Sequence, residues 1–492
     1  SSVLLNANPE RRDYLVLAAI LVLATLLRIV GLDAPLWYDE IITLISHVRL
    51  PCSEMMSTYS MNHHYLFSLE AKAAISIWGE AAWVLRLPSL IFGVGSIAAM
   101  WVLARRVAGS MQAHVVALLL AISYHHIWFS QNARGYTELM FWSVLGTILF
   151  LAGISRPRLG VWAAFGVVLA LALFTHLTGA FFFAALGLVG LARLLILAIR
   201  GQAGRADLLF PLAGFAIGAV LTLLLYAPIL PDVIENARTV SQSSAVDVMQ
   251  EYQNPLWTVA EAVRTLIGGA GSAALLVGAA VFTLIVIGTI GLTGRAPLLA
   301  PVTFTHILLT MLLLSAISMR IWPRFFFVDI GFLMLLIVNG VYASCAPIAA
   351  VAKRLLGGWF DQRRVFLIAA ALMLVISAGL AARNYLNPKQ NLAGAYAYVE
   401  AERAVGDRVL ILGVVDIIYT EYFKSDWIPV APDVDLSSQM SSTGKTWIVL
   451  GFPARTFRQY ANAMPQIDSD FEIRKNFAGT LGDGNVLVYV SR

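Results

Sequence analysis

Cysteine is nearly absent, with two in 492 residues. A disulfide needs Cα atoms within about 7 Å of each other. The topology read below puts Cys52 outside a membrane and Cys345 near the inner end of a span, so the two do not pair within one chain. No Cys or His spacing of the zinc-site kind occurs. Charge is also scarce, at 13% of residues against 59% hydrophobic, and mean hydropathy is +0.77. That balance excludes a soluble enzyme on a single anchor and points to a polytopic membrane protein. The net charge of +5 forms no basic patch of the nucleic-acid kind, so nucleic acid is not an expected partner. No fixed-period repeat or low-complexity tract is visible, which argues against a transporter built from repeated halves. No small-residue cleavage pattern follows the first apolar run, so that run reads as an uncleaved span and not as a signal peptide.

Long apolar runs are abundant. Runs bounded by charge or by Gly/Pro clusters fall at about 14–31, 84–105, 112–128, 138–154, 160–176, 178–199, 208–230, 271–294, 299–318, 324–349 and 365–383. They predict about eleven transmembrane helices. With the N-terminus in the cytoplasm, the short inner loops hold Arg11 and Arg12, Arg105 and Arg106, Arg156 and Arg158, Arg200 and Arg205, Arg295, Lys353 and Arg354, and Arg363 and Arg364. The charges left outside are those that insertion bias does not require: Asp39 and Glu40, Arg86, Arg134 and Glu138, Asp232 and Glu235, and Arg320 and Arg324. His63, His64, His125, His126 and His176 join them, so one face of the membrane collects the chemistry.

Two outer loops are long. The first, about 32–83, contains an apolar-periodic segment ending at Trp78 that reads as an amphipathic interfacial helix. The second, about 231–268, is mostly polar from Arg238 to Asn254, as lids, binding loops and disordered segments are. From about residue 384 the spans stop. Strand-like segments at Arg408–Val414, Thr446–Leu450 and Asn485–Val490 alternate with helix-like ones at about 392–404 and 453–463. They predict a small extracytoplasmic α/β domain over 384–492, behind a membrane domain over 1–383. No Gly-rich phosphate loop follows its strands, so it is assigned no nucleotide, and its expected role is a cap on the acceptor side.

A site on the outer face has no access to cytoplasmic nucleotide sugars, so a group-transfer enzyme there needs a donor that reaches it, and a lipid-linked phosphate qualifies. Such a site requires cations for the phosphate and a carboxylate for proton abstraction. Arg324, after Pro323 at the start of a span, is the leading phosphate ligand, with Arg320 a weaker second. The plainer alternative for Arg324 is a side chain snorkelling to ordinary lipid headgroups. Asp39 is the candidate base. Glu40 projects about 100° away on a helix and makes a structural contact or lines the acceptor side. Arg134 and Glu138 at i,i+4 either pair with each other or, with Tyr136, line donor and acceptor sides. His63 and His64 are weak candidates for a divalent metal, the one cofactor considered, and His176 is a helix-end residue that also borders the substrate site.

These residues, taken together, resemble a family. Arg28 through Asp39-Glu40, Asn62-His63-His64-Tyr65-Leu66, Trp83-Val84-Leu85-Arg86-Leu87-Pro88-Ser89, Ser130-Gln131-Asn132-Ala133-Arg134-Gly135-Tyr136, Thr175-His176 and Pro323-Arg324-Phe325 are similar to the GT-C superfamily of integral-membrane glycosyltransferases. The likeness is to the bacterial branch around protein O-mannosyltransferases and the lipid A aminoarabinose transferase. It implies a GT-C fold and an inverting sugar transfer from a polyprenyl-phosphate donor, with Asp39 as base and Arg324 on the lipid phosphate. The sequence departs from the pattern at His63-His64, where relatives often have His-Pro or Pro-Pro. It departs again at Tyr136 and Glu138, where some relatives put an acidic residue two positions after the Arg. The expected acceptor is a lipid, a glycan or a protein, and the expected location is a bacterial inner membrane with the active site outside, bordered by the first outer loop, the Arg134 loop and the C-terminal domain. The alternatives are a non-catalytic transporter of lipid-linked sugars and a glycan polymerase.

Overall fold

The computed structural model describes residues 8–240, 272–316 and 323–492. The helices run, in chain order, α1 (Arg11–Ile29), α2 (Tyr38–Thr43), α3 (Cys52–Met55), α4 (Tyr65–Trp78), α5 (Ala82–Ala108), α6 (Ser110–Ala121), α7 (Tyr124–Ser130) and α8 (Tyr136–Ser155). There follow α9 (Leu159–Thr175), α10 (Gly179–Ile199), α11 (Arg205–Tyr226), α12 (Leu230–Val240), α13 (Ser272–Leu292) and α14 (Leu299–Ala316). After a 3₁₀ segment, Pro323–Asp329, come α15 (Ile330–Leu356), α16 (Gln362–Leu386) and α17 (Leu392–Glu402), and within the C-terminal sheet α18 (Pro453–Gln459) and α19 (Met464–Asp470).

Among the described residues eight helices are long and apolar enough to cross a membrane, or nine if α6 and α7 count as one bent span. This is a multi-pass membrane protein. Three expected spans depart from the pattern. α9 is apolar but shorter than the other spans, α1 carries Arg11, Arg12, Asp13 and Arg28, and the run at 112–128 is broken by a 61° bend between α6 and α7. The bend has a local cause. The Ser123 side chain accepts the His126 N–H as the N-cap of α7, and the carbonyls freed at the end of α6 receive Arg28.

The Arg28 side chain is fully buried and all five of its N–H groups find acceptors. Nε donates to Ser130 Oγ, Nη1 to the carbonyls of Ala24 and Ala121, and Nη2 to the Leu120 carbonyl and His126 Nδ1. Since His126 Nδ1 accepts, its proton is on Nε2, which meets Ser96 Oγ at 2.9 Å. Gly93 makes room for Ser130, because a Cβ there would collide with Ser130 Oγ.

Helices with little polar surface associate through close backbone approach. α13 and α15 meet at Gly288 and Gly340, where a Cβ would run into the carbonyls of Leu336 and Leu284. α9 and α11 meet in the same way at Gly166, Gly214 and Gly218, with the fully buried Trp162 filling the space that Gly153 and Gly214 leave. Outward-facing Leu223 and Leu224 on α11, Leu275 and Leu276 on α13, and Leu372 and Val375 on α16 form the apolar surface that lipid requires.

The C-terminal sheet has five strands, β1 (Arg408–Leu412), β2 (Ile428–Val430), β3 (Thr446–Gly451), β4 (Phe471–Phe477) and β5 (Val486–Ser491), in the order β2-β1-β3-β5-β4. β1 is parallel to β2 and β3, whereas β5 is antiparallel to β3 and β4. β3 is central and wholly buried. β2 is three residues long and β4 is an edge strand with an exposed Glu472-Ile473-Arg474-Lys475-Asn476 face; neither shows the alternation by which a strand is recognised in sequence. The expected helix at 453–463 ends at Gln459, and α19 follows it.

The chain divides into two compact units, and the cut is not the linear one at residue 383. One unit takes in residues up to Val30, Met56–Phe67 and Pro88–Leu380. The other joins Gly31–Met55 and Ser68–Leu87 to Ala381–Arg492. The amphipathic helix expected in the first outer loop is α4, which buries Tyr65, Phe67, Ala71 and Ala74. Of the second long loop, α12 forms the start and residues 241–271 lie outside the described ones.

Candidate active site

In the second unit, the loop that carries Asp39 is shaped by one guanidinium. The chain leaves α1 through Gly31 at φ +78°, a left-handed conformation that suits glycine. It then wraps the start of α5, where Trp83 N–H donates to Asp33 Oδ1 and Arg86 gathers the carbonyls of Leu32, Ala34 and Pro35. The remaining Arg86 donors grip Glu40 bidentately, Nε to Oε2 at 2.7 Å and Nη2 to Oε1 at 2.8 Å. Both side chains of this pair are buried. Glu40 Oε1 also accepts the Trp37 N–H, capping α2.

Glu40 is therefore a structural residue, and the expectation that it lines the acceptor side is corrected: its carboxylate is buried and faces Arg86. Asp39, one residue earlier on α2, projects from a different face and is half-buried. Its backbone carbonyl accepts from Thr43 Oγ1 at 2.8 Å. Next to it, burial together with the Asp39 charge pushes the Tyr38 phenol above its ordinary value. Burial pulls the Lys389 ammonium down to about 7, against the attraction of Glu40.

A second cluster stands in the first unit. Gly135 N–H donates to His64 Nδ1 at 2.7 Å, so the neutral His64 ring carries its proton on Nε2, which lies 3.4 Å from Arg134 Nη2. Position 135 has to be glycine, since a Cβ would meet both His64 Nδ1 and Thr175 Cγ2 at 2.9 Å. The backbone of this turn is held by Ser89, whose hydroxyl donates to the Arg134 carbonyl and whose own carbonyl accepts from Thr137. Tyr136 is buried, with the guanidinium carbons of Arg134 at 5.9 Å and Arg324 at 6.0 Å from its ring centre. The His64 ring packs edge-on to Tyr136 at 4.9 Å and lies 4.6 Å from His176.

His176 Nε2 donates to the Met61 carbonyl at 3.0 Å while Nδ1 accepts the Thr178 N–H, which ties the α9–α10 connection to the loop before His63. Burial depresses both histidines, and the charges of Arg134 and Arg324 depress them further, His176 to about 4. Both rings are neutral at pH 7, and the positive charge here resides on the two arginines. Such a set suits an anion: two planar donor forks and the His64 Nε2–H.

The His63 ring lies tilted against Tyr65 with ring centres 3.9 Å apart, and Glu138 is buried in the first turn of α8. His64 Nδ1 is engaged by Gly135 and its other nitrogen faces a guanidinium, which repels a cation, and among the described residues no three His, Cys, Asp or Glu side chains form a metal-holding group. Arg320 lies outside the described residues. The sequence-derived candidates thus fall into two sets, Asp39 and Glu40 in one unit and His63, His64, Arg134, Tyr136, Glu138, His176 and Arg324 in the other.

Comparison with solved structures decides the fold. ArnT from Cupriavidus metallidurans in the apo state superposes with a TM-score of 0.56 at 12% identity, covering 96% of this chain and 97% of that one. The same protein bound to undecaprenyl phosphate gives 0.54 at 15% identity, with 97% of each chain covered. The chain has the GT-C fold. A third GT-C structure, the Archaeoglobus fulgidus oligosaccharyltransferase tethered to an acceptor peptide, gives 0.51 at 14% identity over 96% of this chain and 74% of that one. Residues 63–231 match the family described as dolichyl-phosphate-mannose-protein mannosyltransferase. Curated protein sequences give no match. The matched segment includes His63, His64, Arg134, Tyr136, Glu138 and His176 and leaves out Asp39 and Arg324.

Several residues that shape the site carry little signal of a role in the sequence. In sequence Arg86 is only an outer charge, yet it is the partner of Glu40. His306 on α14 donates from Nδ1 to Asp329, at 2.8 and 2.9 Å from its two oxygens, both residues being buried. This pair anchors the 3₁₀ segment that carries Arg324. A histidine in the middle of an apolar run is the signal that finds it.

Proposed function

We propose that this protein is a glycosyltransferase that moves a sugar from a polyprenyl-phosphate donor to an acceptor hydroxyl at the outer face of a bacterial inner membrane, with its N-terminus in the cytoplasm. The observation that carries this reading is the pair of guanidiniums, Arg134 and Arg324, on the Tyr136 ring beside the His64 Nε2–H, in a chain of the GT-C fold. The capture of undecaprenyl phosphate by ArnT, which shares that fold, supports a lipid phosphate as the anion.

In the proposed reaction the acceptor hydroxyl gives its proton to Asp39 as its oxygen bonds to the anomeric carbon. The bond from that carbon to the phosphate oxygen breaks on the opposite side, and its electron pair leaves with the polyprenyl phosphate. One displacement inverts the anomeric centre. Arg324 and Arg134 stabilise the charge that grows on the departing phosphate. Arg320 is proposed as a further phosphate ligand, and Glu138 and His63 as residues on the acceptor side. The donor set around His64 suits an anion better than a metal ion, so no metal is assigned there.

A second reading, a transporter of lipid-linked sugars, draws on the buried His306–Asp329 pair, since ionisable groups inside spans mark translocation paths in transporters. One experiment separates the two. Purified protein is given a panel of polyprenyl-phosphate sugars, with Asp39→Asn and Arg324→Ala beside it. Release of polyprenyl phosphate that disappears in Asp39→Asn is expected. Arg324→Ala is expected to raise the donor KM roughly tenfold or more, the worth of a charge-assisted hydrogen bond of about 1.5 kcal/mol. Full turnover in Asp39→Asn removes the base, and lipid movement across vesicles without any release makes the protein a transporter.

A further inference from the structure

The parallel part of the C-terminal sheet reverses its winding at β1: the chain leaves β1 for β2 on one side and then crosses to β3 on the other. In sheets of this kind, the crevice outside the carboxyl ends of the strands at such a reversal is the usual place for a ligand. Those ends are Leu412-Gly413 on β1 and Gly451-Phe452 on β3. Here a residue of the chain itself reaches them. The Tyr38 ring meets Phe452 edge-on at 5.4 Å and 85°, and Tyr38 N–H donates to Gln390 Oε1 at 3.2 Å. The Tyr38 phenol feels the charges of Arg455, just past β3, and Asp416, just past β1. All of these residues belong to one compact unit.

Two residues of the contact are held at a cost. Phe452 has φ +48° and ψ 64°, a left-handed conformation that costs a residue with a Cβ about 1–2 kcal/mol and is kept only where the surroundings impose it. Its imposed geometry comes from the β3–α18 turn, where Thr456 donates its hydroxyl to the Gly451 carbonyl and its N–H to the Phe452 carbonyl. Gln390 is buried, and among the described residues its Nε2 has no acceptor, so an apolar residue of the same size would sit there at lower cost. What Gln390 does supply is the acceptor for the N–H of the residue next to Asp39.

We propose that Gln390 and Phe452 are positioning residues for Asp39: the strand-end crevice that would elsewhere hold a ligand holds Tyr38, and the C-terminal sheet thereby sets the turn that presents the carboxylate. This rests on Asp39 being the base. The C-terminal sheet is then a part of the catalytic apparatus and not only a cap.

The test uses the full-length protein in detergent or nanodiscs with the donor found in the panel above. Gln390→Ala and Phe452→Leu are expected to lower kcat roughly ten- to hundredfold, the effect of a displacement of the order of 1 Å, with donor KM changed by less than about twofold. Phe452→Tyr keeps the edge-on ring and is expected to restore turnover. Phe452→Gly relieves the left-handed strain while removing the ring, so its kcat is expected to fall without a matching loss of thermal stability. If all of these variants turn over at the wild-type rate while Asp39→Asn is inactive, the positioning role is overturned and the base assignment stands. If Asp39→Asn is itself active, the base assignment has failed, whatever the other variants do.

Discussion

Asp39 and Glu40 are adjacent carboxylates with separate occupations, and adjacency alone left them interchangeable. What distinguishes them is a partner 46 residues further along the chain: both oxygens of Glu40 are held by Arg86, while Asp39 is half-buried on another face of α2. Removing one member of a buried pair leaves the other charge stranded, at a cost of roughly 3–5 kcal/mol. Glu40→Gln is therefore expected to lower the unfolding midpoint severely or abolish expression, whereas Asp39→Asn should melt near the wild-type temperature and lack activity. A thermal melt of the two variants side by side checks this, and equal midpoints would contradict it. The sequence singles out Asp39, Arg134 and Arg324 because each is a charge that neither helix formation nor membrane insertion demands. It could not show the tautomers of His64 and His176, which are set by the Gly135 N–H and the Met61 carbonyl across the fold.

Hydropathy locates spans well and locates their interruptions poorly. The run at 112–128 looked continuous because Ile122 and the residues on either side are apolar, and the bend comes from a capping serine and from an arginine about a hundred residues earlier. The strands β2 and β4 were missed for a related reason, one being too short to alternate and the other an edge with charges along its exposed face. Close helix packing is likewise invisible until the partner helix is known. Gly278 and Gly288 lie on the same helix, α13, yet a Cβ at 278 meets nothing within 4 Å and one at 288 collides with the Leu336 carbonyl. Gly278→Ala is accordingly expected to be neutral or to stabilise by up to about 1 kcal/mol through helix propensity. Gly288→Ala should force α13 and α15 apart and destabilise the protein, by roughly 1–3 kcal/mol as overpacking does. Detergent melting curves of the two single variants read the difference, and matched curves would show that the helices do not approach as described.

Across the whole chain the composition change near residue 384 was legible, but the grouping of segments was not. The unit that holds the sheet also claims Gly31–Met55 and Ser68–Leu87, two pieces of the first loop whose membership depends on long-range contacts such as Tyr38 with Gln390. Orientation in the membrane, read from Lys and Arg in short loops, can be tested with the protein's own cysteines. Cys52 is exposed and Cys345 is buried, both as free thiols. With the proposed orientation, a membrane-impermeant maleimide added to intact cells or spheroplasts is expected to label Cys52 and spare Cys345, and Cys52→Ser should remove the signal. Labelling only after lysis would reverse the orientation and, with it, the face on which the chemistry takes place.

The five-pronged grip of Arg28 also bears on how the protein is made. The acceptors on Leu120, Ala121, His126 and Ser130 follow Arg28 by 92 to 102 residues, so during synthesis the first helix leaves the ribosome long before anything exists to receive its guanidinium. An arginine facing lipid alone is costly. Until the broken helix is made, α1 lacks four of the five acceptors that fix its Arg28 end.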